Sequence, residues 1–163
     1  YQKYQIPLHL IKQNLCGTLP SSDIERLVVE ALSYTEMRGP LEAQLVLLHN
    51  DLHGENLAFN PVTKQLTGVF DFSDAAIGDR SIEFGKLFTI HPDLVVRTTK
   101  AYAILNNIED PLPSAAADFI LRRTLYILHC RETNTPTRET QLIQMLERFI
   151  PVWDQIQHNS GFY

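Results

Sequence analysis

The sequence predicts a mainly α protein with a small antiparallel β-hairpin. Apolar residues recur at helical spacing in several segments, most clearly in the segment that follows Ser22, at Ile24, Leu27, Val28, Ala31 and Leu32. A short apolar run rich in β-branched residues, residues 66–70, is instead typical of a buried strand. The polar segment 59–65 before it, which contains Asn60 and Pro61, indicates the turn of a hairpin.

Composition favours one folded domain spanning residues 1–163. The hydrophobic content of 44% is normal for a globular protein. The net charge of −5 argues against nucleic acid as a partner and suits a cationic substrate. No stretch approaches the roughly 18 apolar residues that span a bilayer, so no membrane association is expected. Cys16 and Cys130 lack metal or redox spacing, which favours free thiols and a cytoplasmic location.

The helices are expected in chain order. A short helix over about residues 8–14 is followed by one that begins near Ser22, where Glu25 completes a capping box, and ends before Gly39. Pro92 suits the first turn of a later helix, and Ser114 is the expected N-cap of the next one. Pro151 should kink or end the last helix. The later helices are predicted at about 81–88, 92–106, 114–131 and 136–149.

The fourth of these predicted helices, which starts at Pro92, has a pattern that assigns its buried side to five apolar residues. They are Leu94, Val95, Ala101, Ile104 and Leu105. Residues 75–79, between the hairpin and the helix predicted at about 81–88, are predicted to be a loop.

Three polar residues after the apolar segment 45–48 suit phosphoryl transfer. Asp51 can accept a proton from a substrate hydroxyl and is the predicted catalytic base. Asn56 and Asp71 offer oxygen atoms to Mg²⁺, a hard cation that takes one or two protein ligands and leaves places for phosphates. The order His49, Asp51, Asn56 matches the catalytic-loop pattern of kinases. A hairpin between Asn56 and Asp71 would bring these two residues face to face.

The segment from about residue 45 to residue 88 resembles the aminoglycoside phosphotransferase family, the small-molecule relatives of protein kinases. His49, Asp51 and Asn56 match its catalytic loop, and an Asp-Phe pair after a strand and a Gly-Asp turn follow at residues 71–72 and 78–79. Two positions depart from the family pattern: Arg80 replaces the usual proline, and Glu83 stands where an aspartate often follows.

The resemblance implies a fold, a reaction and a set of roles. The fold would be the carboxy-terminal lobe of a kinase-like protein. The reaction would transfer the γ-phosphoryl group of ATP or GTP, with Mg²⁺, to a hydroxyl of an aminoglycoside-like or other small, hydroxylated and possibly cationic acceptor. His49 and Asp79 would support the catalytic loop, while His53 and Asp74 would line the acceptor pocket.

The upstream sequence lacks the signals of a nucleotide-binding lobe. No glycines there form a Gly-x-Gly pattern, and Lys3 and Lys12 lie in segments that do not resemble sheet strands. We therefore expect the amino-terminal lobe to be absent from this chain. The chain alone should then bind nucleotide poorly and transfer phosphate slowly or not at all.

Two alternatives remain open at the level of sequence. The chain could be a non-catalytic remnant or binding module of the same fold, although its intact polar motif argues against decay. It could also be a zinc-dependent hydrolase that uses the cluster His49, Asp51 and His53. The zinc alternative is the weaker, because no other His or Cys lies at a suitable spacing to complete the site.

Overall fold

The computed structural model describes residues 6–14, 19–38 and 45–160, and within them the protein is mainly α with two small antiparallel sheets. The predicted fold class is confirmed. The backbone divides into two compact units, which we name the loop unit (described residues 45–115) and the helical unit (described residues 6–14, 19–38 and 116–160). The expectation of one domain over residues 1–163 stays a prediction.

The loop unit contains four short strands, β1 (Val46–Leu48), β2 (Leu57–Phe59), β3 (Leu66–Val69) and β4 (Ala76–Gly78). Strands β2 and β3 form the predicted hairpin, in which Leu57 pairs with Val69 and a bulge lies between Ala58 and Phe59. The prediction of a loop at residues 75–79 was wrong in part. Residues Ala76–Gly78 form β4, which pairs antiparallel with β1, and this contact between distant segments leaves no local signal in so short a strand.

Helices α3 (Arg80–Leu87) and α4 (Pro92–Asn106) complete the loop unit. Asp79 caps α3 by accepting a hydrogen bond from the Ser81 amide at 2.8 Å. The buried side of α4 is formed by Val95, Thr99 and Ala103. The predicted burial of Ala101, Ile104 and Leu105 was wrong. Ala101 is exposed, Ile104 and Leu105 are 73% and 84% exposed, and all three lie away from the face formed by Val95, Thr99 and Ala103.

The helical unit contains α1 (Leu8–Gln13), α2 (Ser22–Arg38), most of α5 (Leu112–Glu132) and α6 (Pro136–Ser160). The predicted apolar stripe of α2 is buried. Its start is capped by Ser21, whose hydroxyl accepts the Ile24 amide at 3.3 Å, so the cap lies one residue before the predicted one. Gly39, before which this helix was predicted to end, lies outside the described residues.

Two boundaries differ from the prediction in the later helices. Helix α5 begins at Leu112, whose amide donates to the Asp110 carboxylate at 2.9 Å, so Ser114 is inside the helix and is not its N-cap. Helix α6 continues past Pro151 to Ser160. Trp153 and Ile156, beyond the proline, are buried, and this packing stabilises the last turns of the helix despite the missing amide hydrogen. Among the described helices, none has the length and apolar composition needed to cross a membrane.

Candidate active site

The loop after β1 carries most of the predicted site residues. Leu48, the last residue of β1, is only 1% exposed and anchors the start of the loop in the core of the unit. A single 3-10 turn, Gly54–Asn56, leads directly into β2. The Asn56 carbonyl accepts the Phe70 amide at 3.2 Å, so the end of the loop is fastened to the chain just before Asp71.

His49 is buried and uses both ring nitrogens within the site. Its Nδ1 accepts the backbone amide of Asp51 at 3.2 Å, and its Nε2 lies 2.8 Å from the carbonyl oxygen of Phe70. Because Nδ1 accepts a hydrogen bond, Nε2 carries the proton and donates to Phe70. The ring also packs against Phe72, with centroids 4.5 Å apart. One imidazole therefore joins the backbone of Asp51 to the Phe70 carbonyl before Asp71 and to the Phe72 ring after it.

Asp51 and Asn56 are in direct contact. The Asn56 Nδ2 donates to the Asp51 backbone oxygen at 2.9 Å and to its carboxylate at 3.1 Å. The Asp51 carboxylate also lies 3.3 Å from His53 Nε2. The Asp51 side chain is 42% exposed, so a hydroxyl group from solution can reach it. The carboxylate is thus oriented by the Asn56 donor, lies beside the His53 ring and is still open to a substrate.

Asp71 follows β3 and has a backbone φ of 63°, which places it in the left-handed region. Its Oδ1 accepts the Ser73 hydroxyl at 2.7 Å and the Ser73 amide at 3.4 Å. These hydrogen bonds lower the pKa of the Asp71 carboxyl below its usual value, with smaller contributions from the nearby His49 and His53. Asp71 is exposed and anionic, as a ligand for a cation should be.

The remaining predicted residues lie around this centre. His53 caps the 3-10 turn, since its Nδ1 accepts the Glu55 amide at 3.3 Å. Asp74 is exposed in the turn that follows Asp71. Asp79 accepts hydrogen bonds from the Ser81 amide and hydroxyl, and no hydrogen bond joins it to the catalytic loop within the described part of the chain.

Sequence reasoning missed the acid that does hold the catalytic loop. The Glu83 carboxylate accepts the Asn50 amide at 2.9 Å through Oε2, while its Oε1 is buried without a partner in the described residues. From the sequence, Glu83 was noted only as a departure from the family pattern. An acid in the first turn of a helix is common because it suits the helix dipole, so nothing in the sequence indicated a contact with the loop.

The residues present fit a magnesium ion better than zinc. Asn56 Oδ1 and Asp71 Oδ2 have no hydrogen-bond partner in the described part of the chain, so two oxygen atoms remain for a hard cation. Residues 6–14, 19–38 and 45–160 contain no group of three His, Cys, Asp or Glu side chains placed to hold a metal. Both ring nitrogens of His49 are also engaged. These observations count against the zinc alternative.

The mainly helical fold and the His-x-Asp loop are those of a kinase-like protein. The sequence model of the phosphotransferase enzyme family matches residues 11–118, more than half of the chain. The chain belongs to this family, as its resemblance to the aminoglycoside phosphotransferases predicted.

Solved structures agree with this assignment. The chain is similar to the GDP complex of wild-type aminoglycoside 2'-phosphotransferase-IIIa, with 20% identity, a TM-score of 0.70 and coverage of 92% of this chain and 51% of that one. It is also similar to the GDP complex of a point mutant of that enzyme, with 20% identity, a TM-score of 0.71 and coverage of 90% and 49%. The chain thus spans about half the length of these structures. No curated protein sequence matches it.

Proposed function

We propose that the protein carrying this chain transfers the γ-phosphoryl group of ATP or GTP to a hydroxyl of a small acceptor. The observation that carries the proposal is the double hydrogen bond of His49, which connects the Asp51 amide to the Phe70 carbonyl next to Asp71. A base and a metal ligand held by one rigid side chain suit a reaction that depends mainly on positioning and charge neutralisation.

Asp51 is the proposed base in this reaction. Its carboxylate, oriented by Asn56 and close to His53, accepts the proton of the acceptor hydroxyl as the oxygen attacks the γ-phosphorus. The bond from that phosphorus to the oxygen bridging to the β-phosphate breaks, and the nucleoside diphosphate leaves. Asn56 and Asp71 are the residues that would hold Mg²⁺. The ion supplies charge neutralisation of the phosphates when it is bound. The GDP complexes of the two similar structures support a nucleotide as donor.

The proposed acceptor is a small hydroxylated molecule of the aminoglycoside type or another metabolite. The net charge of −5 favours a cationic acceptor. His53 and Asp74, close to the proposed base and the proposed metal ligand, are the proposed pocket residues. A cytoplasmic location belongs to the same proposal, supported by the buried free thiol of Cys130.

The test is the substitution Asp51→Asn in the complete protein. We expect kcat with Mg²⁺ and nucleotide to fall by about 100-fold or more, because a positioned base contributes on that order. The nucleotide Kd should stay within about threefold, because Asp51 contacts the acceptor and not the donor in this scheme. The matched control is Glu109→Gln, an exposed acid of the loop unit, which should leave kcat unchanged.

The outcomes separate the alternatives. An unchanged kcat in Asp51→Asn would remove Asp51 from the role of base. Nucleotide binding without any turnover in the wild-type protein would favour the binding-module alternative. A chain of residues 1–163 alone should show slow transfer or none, and turnover equal to that of the complete protein would contradict this part of the proposal.

A further inference from the structure

Asn50 lies between His49 and Asp51 in the sequence and has an unusual environment. Its backbone φ is 63°, a conformation that asparagine tolerates better than other residues with a side chain. It is 7% exposed, although it is a polar residue in a loop. Burial of a carboxamide costs free energy unless its donor and acceptor groups are paired. The partners of Asn50 therefore indicate what the residue does.

The Asn50 side chain reaches away from the catalytic loop to two other segments. Its Nδ2 donates to the backbone oxygen of Asp74 at 3.2 Å, and its Oδ1 accepts from Lys86 Nζ at 3.2 Å. The orientation of the amide is defined by chemistry, because a carbonyl only accepts hydrogen bonds and an ammonium only donates them. An aspartate in its place would present an oxygen to the Asp74 carbonyl.

Two consecutive residues thus hold both ends of the turn that carries Asp71. His49 binds the carbonyl of Phe70, just before Asp71, and Asn50 binds the carbonyl of Asp74, just after the turn. The Asp71 carboxylate itself bonds only to Ser73 among the described residues, and Ser73 belongs to the same turn. The Phe70 amide bond to the Asn56 carbonyl and the pairing of β4 with β1 fasten the flanks of the turn, and His49 and Asn50 supply the side-chain anchors that join it to the loop bearing Asp51.

We propose that the Asn50 carboxamide is a positioning residue that fixes the Asp71 turn against the loop bearing Asp51, and so sets the distance between metal ligand and base. This inference rests on the proposed function for its catalytic consequence only. Lys86 orients the carboxamide, and Glu83, which binds the Asn50 amide, holds the backbone in place.

The substitution Asn50→Gly separates these two functions. Glycine adopts a positive φ without cost, so the bend and the amide donated to Glu83 are retained while the bridge to Asp74 is lost. The matched control is Asn107→Gly. Asn107 has a φ of 51° at the end of α4, and its side chain makes no hydrogen bond within the described residues. Both variants replace an asparagine by glycine and so raise the entropy of the unfolded chain equally, but only Asn50→Gly removes a hydrogen bond to Asp74.

The first measurement is hydrogen exchange of the Ala75 amide, which donates to the Phe72 carbonyl at 3.0 Å within the turn. Release of the turn should raise this exchange rate by about tenfold or more in Asn50→Gly, because exchange reports local opening. Asn107→Gly should leave the rate unchanged. An unchanged rate in Asn50→Gly overturns the proposal, whatever the protein catalyses.

The second measurement addresses function in the complete protein. Water-proton relaxation should show that the Mn²⁺–GDP complex binds about 10- to 100-fold more weakly to Asn50→Gly than to wild type, or that kcat falls by a similar factor, as for other residues that orient metal ligands. If Asn50 only stabilised the fold, Asn50→Gly would lower the unfolding midpoint and leave both the affinity for Mn²⁺–GDP and kcat unchanged. That result would refute the positioning role. Failure of the wild type to bind Mn²⁺–GDP would count against the proposed function, and the Ala75 exchange rate would still decide the inference.

Discussion

The Nε2 atom of His49 lies 2.8 Å from the carbonyl oxygen of Phe70, and its Nδ1 accepts the amide of Asp51 at 3.2 Å. Substitution His49→Ala would remove both bonds and the packing of a side chain that is 8% exposed. We expect a loss of about 1–3 kcal/mol in the free energy of unfolding, because each hydrogen bond contributes about 0.5–1.5 kcal/mol. Urea denaturation would measure it.

The control for this prediction is His129→Ala. The His129 side chain is 67% exposed on α5, so its removal should change the free energy of unfolding by less than about 0.5 kcal/mol. The ¹⁵N shifts of His49 should also show the tautomer with hydrogen on Nε2. Equal effects of the two substitutions, or hydrogen on Nδ1, would contradict the bridging arrangement.

The depressed pKa of Asp71 depends chiefly on its hydrogen bonds from Ser73. In Ser73→Ala the hydroxyl donor is lost, and we expect the pKa of Asp71 to rise toward its ordinary value of 3.8. A carboxyl with a lowered pKa in the folded state stabilises that state above its ordinary pKa. This contribution disappears as the pH falls through the folded-state value.

The Asp71 carboxyl therefore loses its contribution to stability at pH values below 3.8, and its charge should not change near neutral pH. An NMR titration of the Asp71 side-chain carboxyl in both proteins would measure the shift. Ser81→Ala is the control, because Ser81 makes the same kind of bond to Asp79 in the same unit. A titration of Asp71 that is identical in wild type and Ser73→Ala would show that Ser73 does not set its pKa.

In the helical unit, the Trp153 Nε1 donates to the Glu30 carboxylate at 2.9 Å and the indole is 1% exposed. Glu30 also binds Arg26, and the pKa of Arg26 is raised by its hydrogen bonds to Asp154 and then to Glu30. We expect Trp153→Phe to cost about 1–3 kcal/mol in thermal or urea unfolding, because the carboxylate loses a donor and the core loses volume.

A double-mutant cycle with Glu30→Gln would isolate the bond. The coupling energy should be about 0.5–3 kcal/mol, as for other residues in direct contact. Tyr126→Phe, which alters an aromatic side chain that is 54% exposed in the same unit, should change stability by less than about 0.5 kcal/mol. Additive effects of Trp153→Phe and Glu30→Gln would show that the indole bond contributes nothing.

Several features were predictable because their causes are local. The helical stripe of α2, the turn at residues 60–65 and the order His49, Asp51, Asn56 all lie in short segments. Hydrophobic spacing and turn chemistry are sufficient to define such segments. The hairpin followed from the same rules, and it brought the Phe70 amide to the Asn56 carbonyl, next to Asp71.

Other features depend on contacts between distant residues. Strand β4 exists because it pairs with β1, and Glu83 supports the catalytic loop because α3 packs beside it. The exposed Ile104 and Leu105 lie on other sides of α4 than Val95, Thr99 and Ala103, which recur every four residues and form its buried face. Periodicity shows that a segment is helical, and only packing decides which face of the helix is buried.

The sequence by itself predicted the family of the protein and its candidate site residues, because the motif that carries the resemblance is a set of side chains in a fixed order along one short loop and hairpin. The role of His49 in supporting that loop was expected from the family resemblance, but tertiary structure alone decided its partner and added Asn50 and Glu83 to the supporting groups. These side chains bind backbone atoms of residues far away in the chain, and a backbone amide or carbonyl is the same in every residue, so no pattern of side chains could reveal the bonds.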